Sequence, residues 1–557
     1  MKNIYLIFLL LFIFNCKDDK NESSEVVNTA DTVESKLFHK VKVDSVVAMD
    51  SDFREFKVLD SRNLDVEVLW APFNKVLDSF SEQNYESLKP LVLDQDILTM
   101  QKSVADGNLN YEQLTLFYLY RIRELDRNNE KSLNSVISIN PAVLDEAKER
   151  DRAYANKKLK HSVYGMPILL KDNINAEGMT TTAGAVVFEK NLTHDSFISE
   201  QLTLRGAIIL GKTNLSEWAY FFCGDCPSGY SAIGGQTLNP YGRRTIDTGG
   251  SSSGSGVAVA ANFCAGAIGS ETSGSILSPS SQNSIVGLKP TIGILSRSGI
   301  VPISSTLDTP GPMTKNVTDT AIILDAMLGM DVGDVKTQLL GHKAPIYRNL
   351  SKDALKGVRL GAAKRLMDNS LYAEAIQTLR AQGAEVIEFE EEKLELPDFV
   401  RLLNLEMKKE LPRYILGAAN TKVGVVSVID IIKYNKTDST NSAPYGQKLF
   451  NGIVADSGSS KDLDSIHNTL RINGKLFFDK PFQEHELDGF LSINNYHAGF
   501  AAVAEYPAIT VPMGYAEDGS PKGLTFISTP KSEENLLNWA FAYEQASKKR
   551  VAPSNYK

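Results

Sequence analysis

Cysteine is scarce in this sequence, which has four cysteines in 557 residues. Cys223 and Cys226 have the spacing of a metal-binding pair, but neither a second such pair nor a nearby histidine accompanies them. A zinc site needs more ligands than this pair supplies, so we expect no metal and no other cofactor. The two cysteines could form a disulfide or could be free thiols, and the sequence leaves both open.

Runs of lysine and arginine are also missing. The formal net charge is −9 at pH 7, whereas a sequence-independent nucleic-acid-binding domain carries a basic stripe. We therefore expect no nucleic-acid partner. The hydrophobic content of 42% and the charged content of 23% are ordinary for a folded globular protein, so most of the chain should be ordered.

The apolar run at the N-terminus is too short to span a bilayer. The segment MKNIYLIFLLLFIFNC has Lys2, an uncharged apolar run over residues 4–14, and then Cys16. This order is typical of a signal peptide, and the cysteine resembles the lipidated residue of bacterial lipoproteins. We expect residues 1–15 to be a signal peptide and lipidated Cys16 to hold the protein at a membrane of the bacterial cell envelope, periplasmic or surface-exposed. An uncleaved membrane anchor is the alternative.

Residues 16–92 are predicted to be a tether with an N-terminal extension, and residues 93–550 to be a single large domain. In that domain short apolar runs alternate with helical patterns, which predicts an α/β fold with a mostly parallel or mixed sheet. The predicted strands are residues 167–170, 207–210, 384–389, 490–494, 508–511 and 524–528. Residues 418–465 are rich in polar side chains and are interpreted as a less regular insertion.

The stretch TGGSSSGSG, residues 248–256, has three interpretations. A flexible linker is disfavoured because the small apolar residues that follow suit a closely packed helix and strand. A phosphate-binding loop needs a lysine after the last glycine, and none is present. A nucleophile elbow fits the sequence better than these two, because residues 250–254 match the pattern GxSxG with Ser252 as the nucleophile. That hydrolase would need a histidine and an acid, and none of the later histidines lies in an evident motif.

A serine nucleophile with a lysine base is the other possibility. Ser275 follows Ser273 and Gly274 in GSETSGSILSP, where a tight turn can aim several backbone N–H groups at one point, as an oxyanion hole requires. Lys171 follows the apolar run MPILL, and burial there favours its neutral form. A lysine base near neutral pH needs its pKa lowered by roughly 3 units from the usual value of about 10.4.

The full set of motifs resembles the amidase signature family over roughly residues 93–550. The matching segments are GMPILLKDN, GKTNLSEWA, LNPYGRRTIDTGGSSSGSGVAVAAN, GSETSGSILSP and VGLKPTIGILSRSGIVPISSTLDTPGPM. The resemblance implies one α/β domain whose mixed sheet is covered by helices on both faces. It also implies a Ser–cisSer–Lys triad with these roles: Lys171 as base, Ser251 as relay after a cis peptide bond, Ser275 as nucleophile, backbone N–H groups of Thr272, Ser273, Gly274 and Ser275 as oxyanion hole, and Ser252 beside the relay.

The resemblance predicts hydrolysis of a small-molecule or peptide amide through an acyl-enzyme, and the N-terminal segment predicts that the enzyme is an envelope lipoprotein. Glu271, Ser273 and Leu277 depart from the residues that many members carry, and we expect these departures to alter the substrate side. Glu271 and the segment DTPGPM are similar to the peptide-amidase branch. Transamidation on tRNA is disfavoured by the lipoprotein signal. A non-catalytic binding lipoprotein and the histidine-dependent hydrolase are the alternatives.

Overall fold

Eleven strands form one mixed sheet at the centre of the fold. The computed structural model describes residues 56–127, 129–154, 160–338 and 345–557, so the predicted signal peptide and Cys16 lie outside the described residues. The described strands are β1 (Val136–Ile139), β2 (Pro167–Lys171), β3 (Ile208–Thr213), β4 (Tyr230–Ser231), β5 (Gly235–Gln236), β6 (Gly266–Glu271), β7 (Val286–Lys289), β8 (Thr309–Thr314), β9 (Arg359–Ala363), β10 (Glu385–Phe389), β11 (Gly489–Ile493), β12 (Ala508–Tyr515) and β13 (Pro521–Ile527).

The strand order of the large sheet is β1-β3-β2-β6-β8-β7-β12-β13-β11-β9-β10, and β4 pairs with β5 in a small hairpin. Strands β3, β2 and β6 run parallel, as do β11, β9 and β10, whereas the strands between these two groups pair antiparallel. The central strands are buried along almost their whole length, so both faces of the sheet are covered. The predicted α/β fold with a mixed sheet is confirmed.

The helices flank this sheet. They are α1 (Val66–Trp70), α2 (Asn74–Ser79), α3 (Glu82–Val92), α4 (Ile97–Ala105), α5 (Tyr111–Leu125), α6 (Val143–Tyr154), α7 (Phe197–Leu204), α8 (Ser253–Ala260), α9 (Leu277–Gln282), α10 (Val317–Met327), α11 (Ser370–Ala381), α12 (Phe399–Gly417), α13 (Val428–Thr437), α14 (Ser439–Ser442), α15 (Lys448–Ala455), α16 (Ser460–Glu484), α17 (Ala498–Ala504) and α18 (Glu533–Ser547).

Helix α5 shows why these residues form their elements. Asn110 accepts a hydrogen bond from the backbone N–H of Gln113, and the Gln113 side chain accepts one from the backbone N–H of Asn110. This capping box satisfies N–H groups that have no partner inside the first turn. The apolar face of α5, including Leu114 and Phe117, is fully buried against the core.

The described part of the predicted extension, residues 56–92, consists mainly of helices packed onto α5. The ring of Tyr85 on α3 stacks on Phe117 with centroids 4.9 Å apart. All the described residues belong to one compact unit, Val46–Lys557. No helix within residues 56–127, 129–154, 160–338 and 345–557 has the length and apolar character needed to span a membrane.

The interpretation of residues 418–465 as a less regular insertion was wrong. The range contains α13, α14, α15 and the start of α16. Helix α15 buries Leu449, Phe450 and Ile453, which recur at helical spacing. The polar residues that dominated the composition lie on the exposed faces of short helices, where a window of sequence gives a weak periodic signal. Cys223 and Cys226, left open by the sequence, form a disulfide.

Candidate active site

The register of two parallel strands brings the lysine and the second serine block to one edge of the sheet. In β2 and β6, Ile168 pairs with Gly266 and Leu170 pairs with Ile268. Both strands run in the same direction, so their carboxyl ends meet. Lys171 is the last residue of β2, and residues 272–275, here called the oxyanion loop, follow directly after β6.

Lys171 is fully buried, and its amine contacts only neutral groups. Its Nζ atom lies 2.8 Å from Ser251 Oγ, 2.9 Å from Ser270 Oγ and 3.1 Å from the Ser270 carbonyl oxygen. Among the described residues no carboxylate lies within ion-pair distance of this amine. Burial lowers the pKa of Lys171 to about 7, although the more distant charges of Asp308 and Glu271 act in the opposite direction. A large fraction of this lysine is therefore neutral near pH 7.

Ser251 lies in the loop that leads into α8, and the peptide bond between Gly250 and Ser251 is cis. The Ser251 side chain is fully buried beside Lys171, and its carbonyl accepts a hydrogen bond from the backbone N–H of Ser216. The hydroxyl thus has a fixed position next to an amine that can accept its proton.

Ser252 joins the two serine blocks. Its hydroxyl donates to the Ser270 carbonyl at 3.1 Å and accepts from the Ser270 backbone N–H at 3.2 Å. Its own backbone N–H donates to the Ser275 carbonyl at 3.2 Å. Ser252 is fully buried and therefore holds the glycine-serine loop against β6 and the oxyanion loop.

The oxyanion loop presents unpaired backbone donors. None of the N–H groups of Thr272, Ser273, Gly274 and Ser275 donates a hydrogen bond within the part of the chain that the structure describes. Gly274 has a φ of +83°, a left-handed conformation in which glycine is unstrained. Ser275 retains 9% exposure, whereas Ser251 is fully enclosed. Ser275 is therefore the serine of this pair that a substrate can reach.

The predicted relay serine and the predicted nucleophile are not in direct hydrogen-bond contact. Within the described residues, the hydroxyls of Ser251 and Ser275 form no hydrogen bond with each other. The two serines are linked instead through the Ser252 backbone N–H and the Ser275 carbonyl. Catalytic hydrogen bonds are often long in a protein without substrate and shorten when the substrate binds.

Glu271 binds the backbone that follows the oxyanion loop. Its carboxylate oxygen Oε2 accepts hydrogen bonds from the backbone N–H groups of Ile276 at 2.7 Å and Leu277 at 3.0 Å. Glu271 is buried, and Leu277 has no exposure. Glu271 therefore closes the base of the oxyanion loop and Leu277 packs into the core, and the expectation that these departures alter the substrate side stays a prediction.

Three further residues that sequence reasoning left without a role support the site. Asn173 donates to Ser270 Oγ at 2.9 Å, and Ser270 in turn contacts Lys171. Asp308 accepts a hydrogen bond from the Thr272 hydroxyl at 2.6 Å. Each lies inside a motif that the sequence displays, but only the three-dimensional contacts reveal what its side chain binds.

The described histidines do not serve Ser252. His497 is buried, with Nδ1 2.6 Å from the Ser492 hydroxyl, and its Nε2 contacts Glu391. The hydrogen bonds of the Ser252 hydroxyl go to Ser270, and none joins it to a histidine within the described residues. A histidine-activated Ser252 therefore has no geometric support.

A cavity of about 420 Å³ adjoins the oxyanion loop. Ser270 and Thr272 line it, together with apolar residues such as Ile300 and Val301 and the ring of Tyr414. The cavity is large enough for a small-molecule group or an amino-acid side chain beside Thr272, the first residue of the oxyanion loop.

Comparison with known sequences identifies the family. A sequence model of the family named Amidase matches residues 113–442. A probable amidase of Arabidopsis thaliana is 35% identical over 468 residues, which cover 80% of this chain and 89% of that protein. One chain of the glutamyl-tRNA(Gln) amidotransferase from Thermoanaerobacter pseudethanolicus is 31% identical over 472 residues, which cover 79% of this chain and 94% of that protein.

Solved structures agree with the sequence comparison. An amidase family protein from Bacillus anthracis matches with a TM-score of 0.84 and 36% identity, covering 89% of this chain and all of that one. A peptide amidase solved in complex with the competitive inhibitor chymostatin matches with a TM-score of 0.77 and 37% identity, covering 83% of this chain and 99% of that one.

The mixed sheet, with Lys171 and the serine loops at the carboxyl ends of β2 and β6, is the fold and site of an amide hydrolase. The chain belongs to the amidase signature family, which confirms the resemblance seen in the motifs.

Proposed function

We propose that this amidase cleaves its substrate through Lys171, Ser251 and Ser275, with an acyl-enzyme intermediate. The observation that carries the proposal is the enclosed amine of Lys171 at 2.8 Å from the Ser251 hydroxyl. A lysine enclosed by hydroxyl and carbonyl oxygens, with a pKa of about 7, can accept a proton at neutral pH.

The proton path follows from the order of these groups. Neutral Lys171 takes the Ser251 proton, Ser251 takes the Ser275 proton, and Ser275 Oγ forms a bond to the amide carbonyl carbon. The backbone N–H groups of the oxyanion loop stabilise the negative charge that develops on the carbonyl oxygen. When the C–N bond breaks, the same path returns the proton to the leaving amine. Water then gives a proton to Ser251 and attacks the ester carbonyl carbon. When the ester C–O bond breaks, Ser275 Oγ regains a proton by the same path and the carboxylic acid is released.

The cavity supports a neutral carboxylic or peptide amide as the substrate. Its two arginines are paired: Arg297 binds Asp334 through two nitrogens, at 2.6 and 2.8 Å, and Arg413 lies 2.9 Å from Glu410. The third acid of the lining, Asp308, accepts hydrogen bonds from the Thr272 hydroxyl and from two backbone N–H groups. Within the described lining, neither arginine is free to bind an anionic substrate group, and the remaining carboxylate disfavours one, which supports a neutral amide. The likeness to a peptide amidase supports the same class of substrate.

Lipid anchoring at Cys16 belongs to the same proposal. The support is the sequence alone, with an uncharged apolar run over residues 4–14 followed by the cysteine and a polar stretch. A single acyl chain binds a membrane only marginally, and mature lipoproteins carry more than one. The polar residues after Cys16 would let the catalytic domain stand away from the membrane.

Two alternatives are weaker. A non-catalytic binding lipoprotein has no need of a buried lysine beside a serine, yet that pair is intact here. The kinship with an amidotransferase chain leaves transamidation on tRNA as the other candidate, but the net charge of −9 and the predicted envelope location disfavour it.

The catalytic part of the proposal is tested by turnover. Protein lacking residues 1–20 should be soluble and should hydrolyse members of a panel of carboxylic amides, peptide amides and esters. The Ser275→Ala variant of the same protein is the control. An absence of turnover across the panel, in a protein shown to be folded, would favour the binding role.

The anchoring part is tested by membrane fractionation of the full-length chain. Wild type should partition with membranes, and Cys16→Ala should be released or mislocalised. Equal membrane association of the two forms would mean that the apolar run itself is the anchor.

A further inference from the structure

Asn495 lies beside the oxyanion loop but outside every motif that the sequence analysis assigned to catalysis. A Cβ atom placed on Gly274 would lie 3.0 Å from Asn495 Nδ2 and 3.3 Å from Asn495 Cβ. The Asn495 amide is therefore a direct neighbour of the loop that follows β6 and ends at Ser275. It is contributed by the turn after β11, on the other half of the sheet.

The Asn495 side chain is unpaired, unlike that of the asparagine before it. The Asn494 side chain is buried and accepts a hydrogen bond from the Gly523 backbone N–H at 2.7 Å. The Asn495 side chain is half-buried, and within the described residues its amide makes no hydrogen bond. The half-buried amide still faces water, so its donors and its acceptor can exchange water for a ligand beside the oxyanion loop.

The backbone around Asn495 is held on both sides. Asn494 donates its backbone N–H to the Gly523 carbonyl at 2.8 Å. Two residues after Asn495, His497 is fixed by the Ser492 hydroxyl at 2.6 Å and by Glu391. A binding group whose backbone is fixed in this way loses little conformational entropy when it pairs with a ligand.

We propose that Asn495 is a specificity-determining residue that pairs with a peptide group of the substrate next to the scissile amide. A carboxamide offers both a donor and an acceptor, which match the carbonyl and the N–H of a peptide unit. A simple carboxamide substrate has only the scissile amide, which the oxyanion loop and Ser275 engage. This inference rests on the proposed function, and it narrows the substrate class to amides that carry a peptide group.

The test compares two substrates in one variant. Asn495→Ala should lower kcat/KM for a dipeptide amide by about 5- to 10-fold, the effect of one hydrogen bond, and leave kcat/KM for a simple aliphatic carboxamide nearly unchanged. Asn535→Ala, at an exposed position on α18, is the matched control and should change neither value. Equal losses on both substrates, or no loss on the dipeptide amide, would overturn the proposal.

A binding measurement separates this proposal from the proposed function. Calorimetric titration of the dipeptide amide into Ser275→Ala should give a Kd that rises about 5- to 10-fold when Asn495→Ala is added. If wild type turns over no amide but this shift is observed, the catalytic proposal fails and the role of Asn495 stands. If amides are turned over but the Kd does not change, the role of Asn495 is wrong and catalysis stands.

Discussion

Two buried lysines on neighbouring strands differ in their partners. Lys171 ends β2 and Lys212 lies in β3, where it pairs in register with Leu170. Neither side chain has any exposure. Lys212 Nζ lies 3.1 Å from the Asp172 carboxylate and 2.9 Å from the Thr181 hydroxyl, whereas Lys171 contacts only hydroxyl and carbonyl oxygens.

The two lysines are equally buried, but only Lys212 has a carboxylate beside it. This difference separates a lysine that pairs with a counter-ion from one that can act as a base. Burial lowers the pKa of both lysines because it disfavours the charged form. At Lys212 the adjacent Asp172 carboxylate acts against burial and favours the charged form of the lysine. At Lys171 the opposing charges of Asp308 and Glu271 are farther away, and the pKa falls to about 7.

The largest effect is expected at the nucleophile. Ser275→Ala should abolish amide hydrolysis because no other hydroxyl can form the acyl-enzyme. Ser251→Ala should cost several orders of magnitude, and the two losses should not add because the groups act as a unit. Steady-state turnover of an amide measures both. Ser253→Ala is the control, since the Ser253 hydroxyl donates to the Gly249 carbonyl and contacts neither partner. Near-wild-type turnover in Ser275→Ala would contradict the assignment.

The lysine comparison is tested by matched substitutions. Lys171→Met should abolish most turnover with a modest change in the free energy of unfolding. Lys212→Met should instead lower the free energy of unfolding by about 3–5 kcal/mol, because it leaves the Asp172 carboxylate buried without its counter-ion. Under conditions in which Lys212→Met is folded, the turnover of this variant should fall less than that of Lys171→Met. Urea denaturation and amide turnover give the two readouts, and the reverse pattern would show that the roles are exchanged.

The smallest effect concerns the charge near Lys171. Asp308 raises the pKa of Lys171, so Asp308→Asn should move the midpoint of the pH–activity profile to lower pH. The Thr272 hydroxyl can still donate to the asparagine side-chain oxygen, but the backbone N–H groups of Ile303 and Ser304 lose their acceptor, so the folding of the variant is checked first. Profiles of the variant and of wild type on the same neutral amide provide the measurement. A midpoint that moves upward would mean that Asp308 influences the site in another way.

Much of the fold could be predicted because its strands are short apolar runs with helical patterns between them. The predicted strands at residues 167–170 and 207–210 illustrate this: they overlap β2 and the start of β3, where buried parallel strands are continuously apolar. Residues 418–465 could not be predicted in this way, because the helices there are short and present mostly polar faces.

The candidate site also has a part that the sequence could predict and a part that it could not. Lys171 and the serine blocks have recognisable motifs, so the sequence alone indicated them. The direction of the Glu271 carboxylate, the hydroxyl of Ser270 beside the amine and the approach of Asn495 to Gly274 depend on which strands are neighbours in the sheet. Side-chain direction and long-range strand order leave no local pattern in a sequence.

The central claim is that Lys171 works as a neutral base, and the pH dependence of kcat/KM on a non-ionising amide tests it most directly. A base must be deprotonated to act, so activity should be low below the pKa of Lys171 and should rise as the pH passes through about 7. The account predicts one ionisation on this limb with an apparent pKa between about 6.5 and 8.5. A profile that is flat down to pH 5 would contradict it.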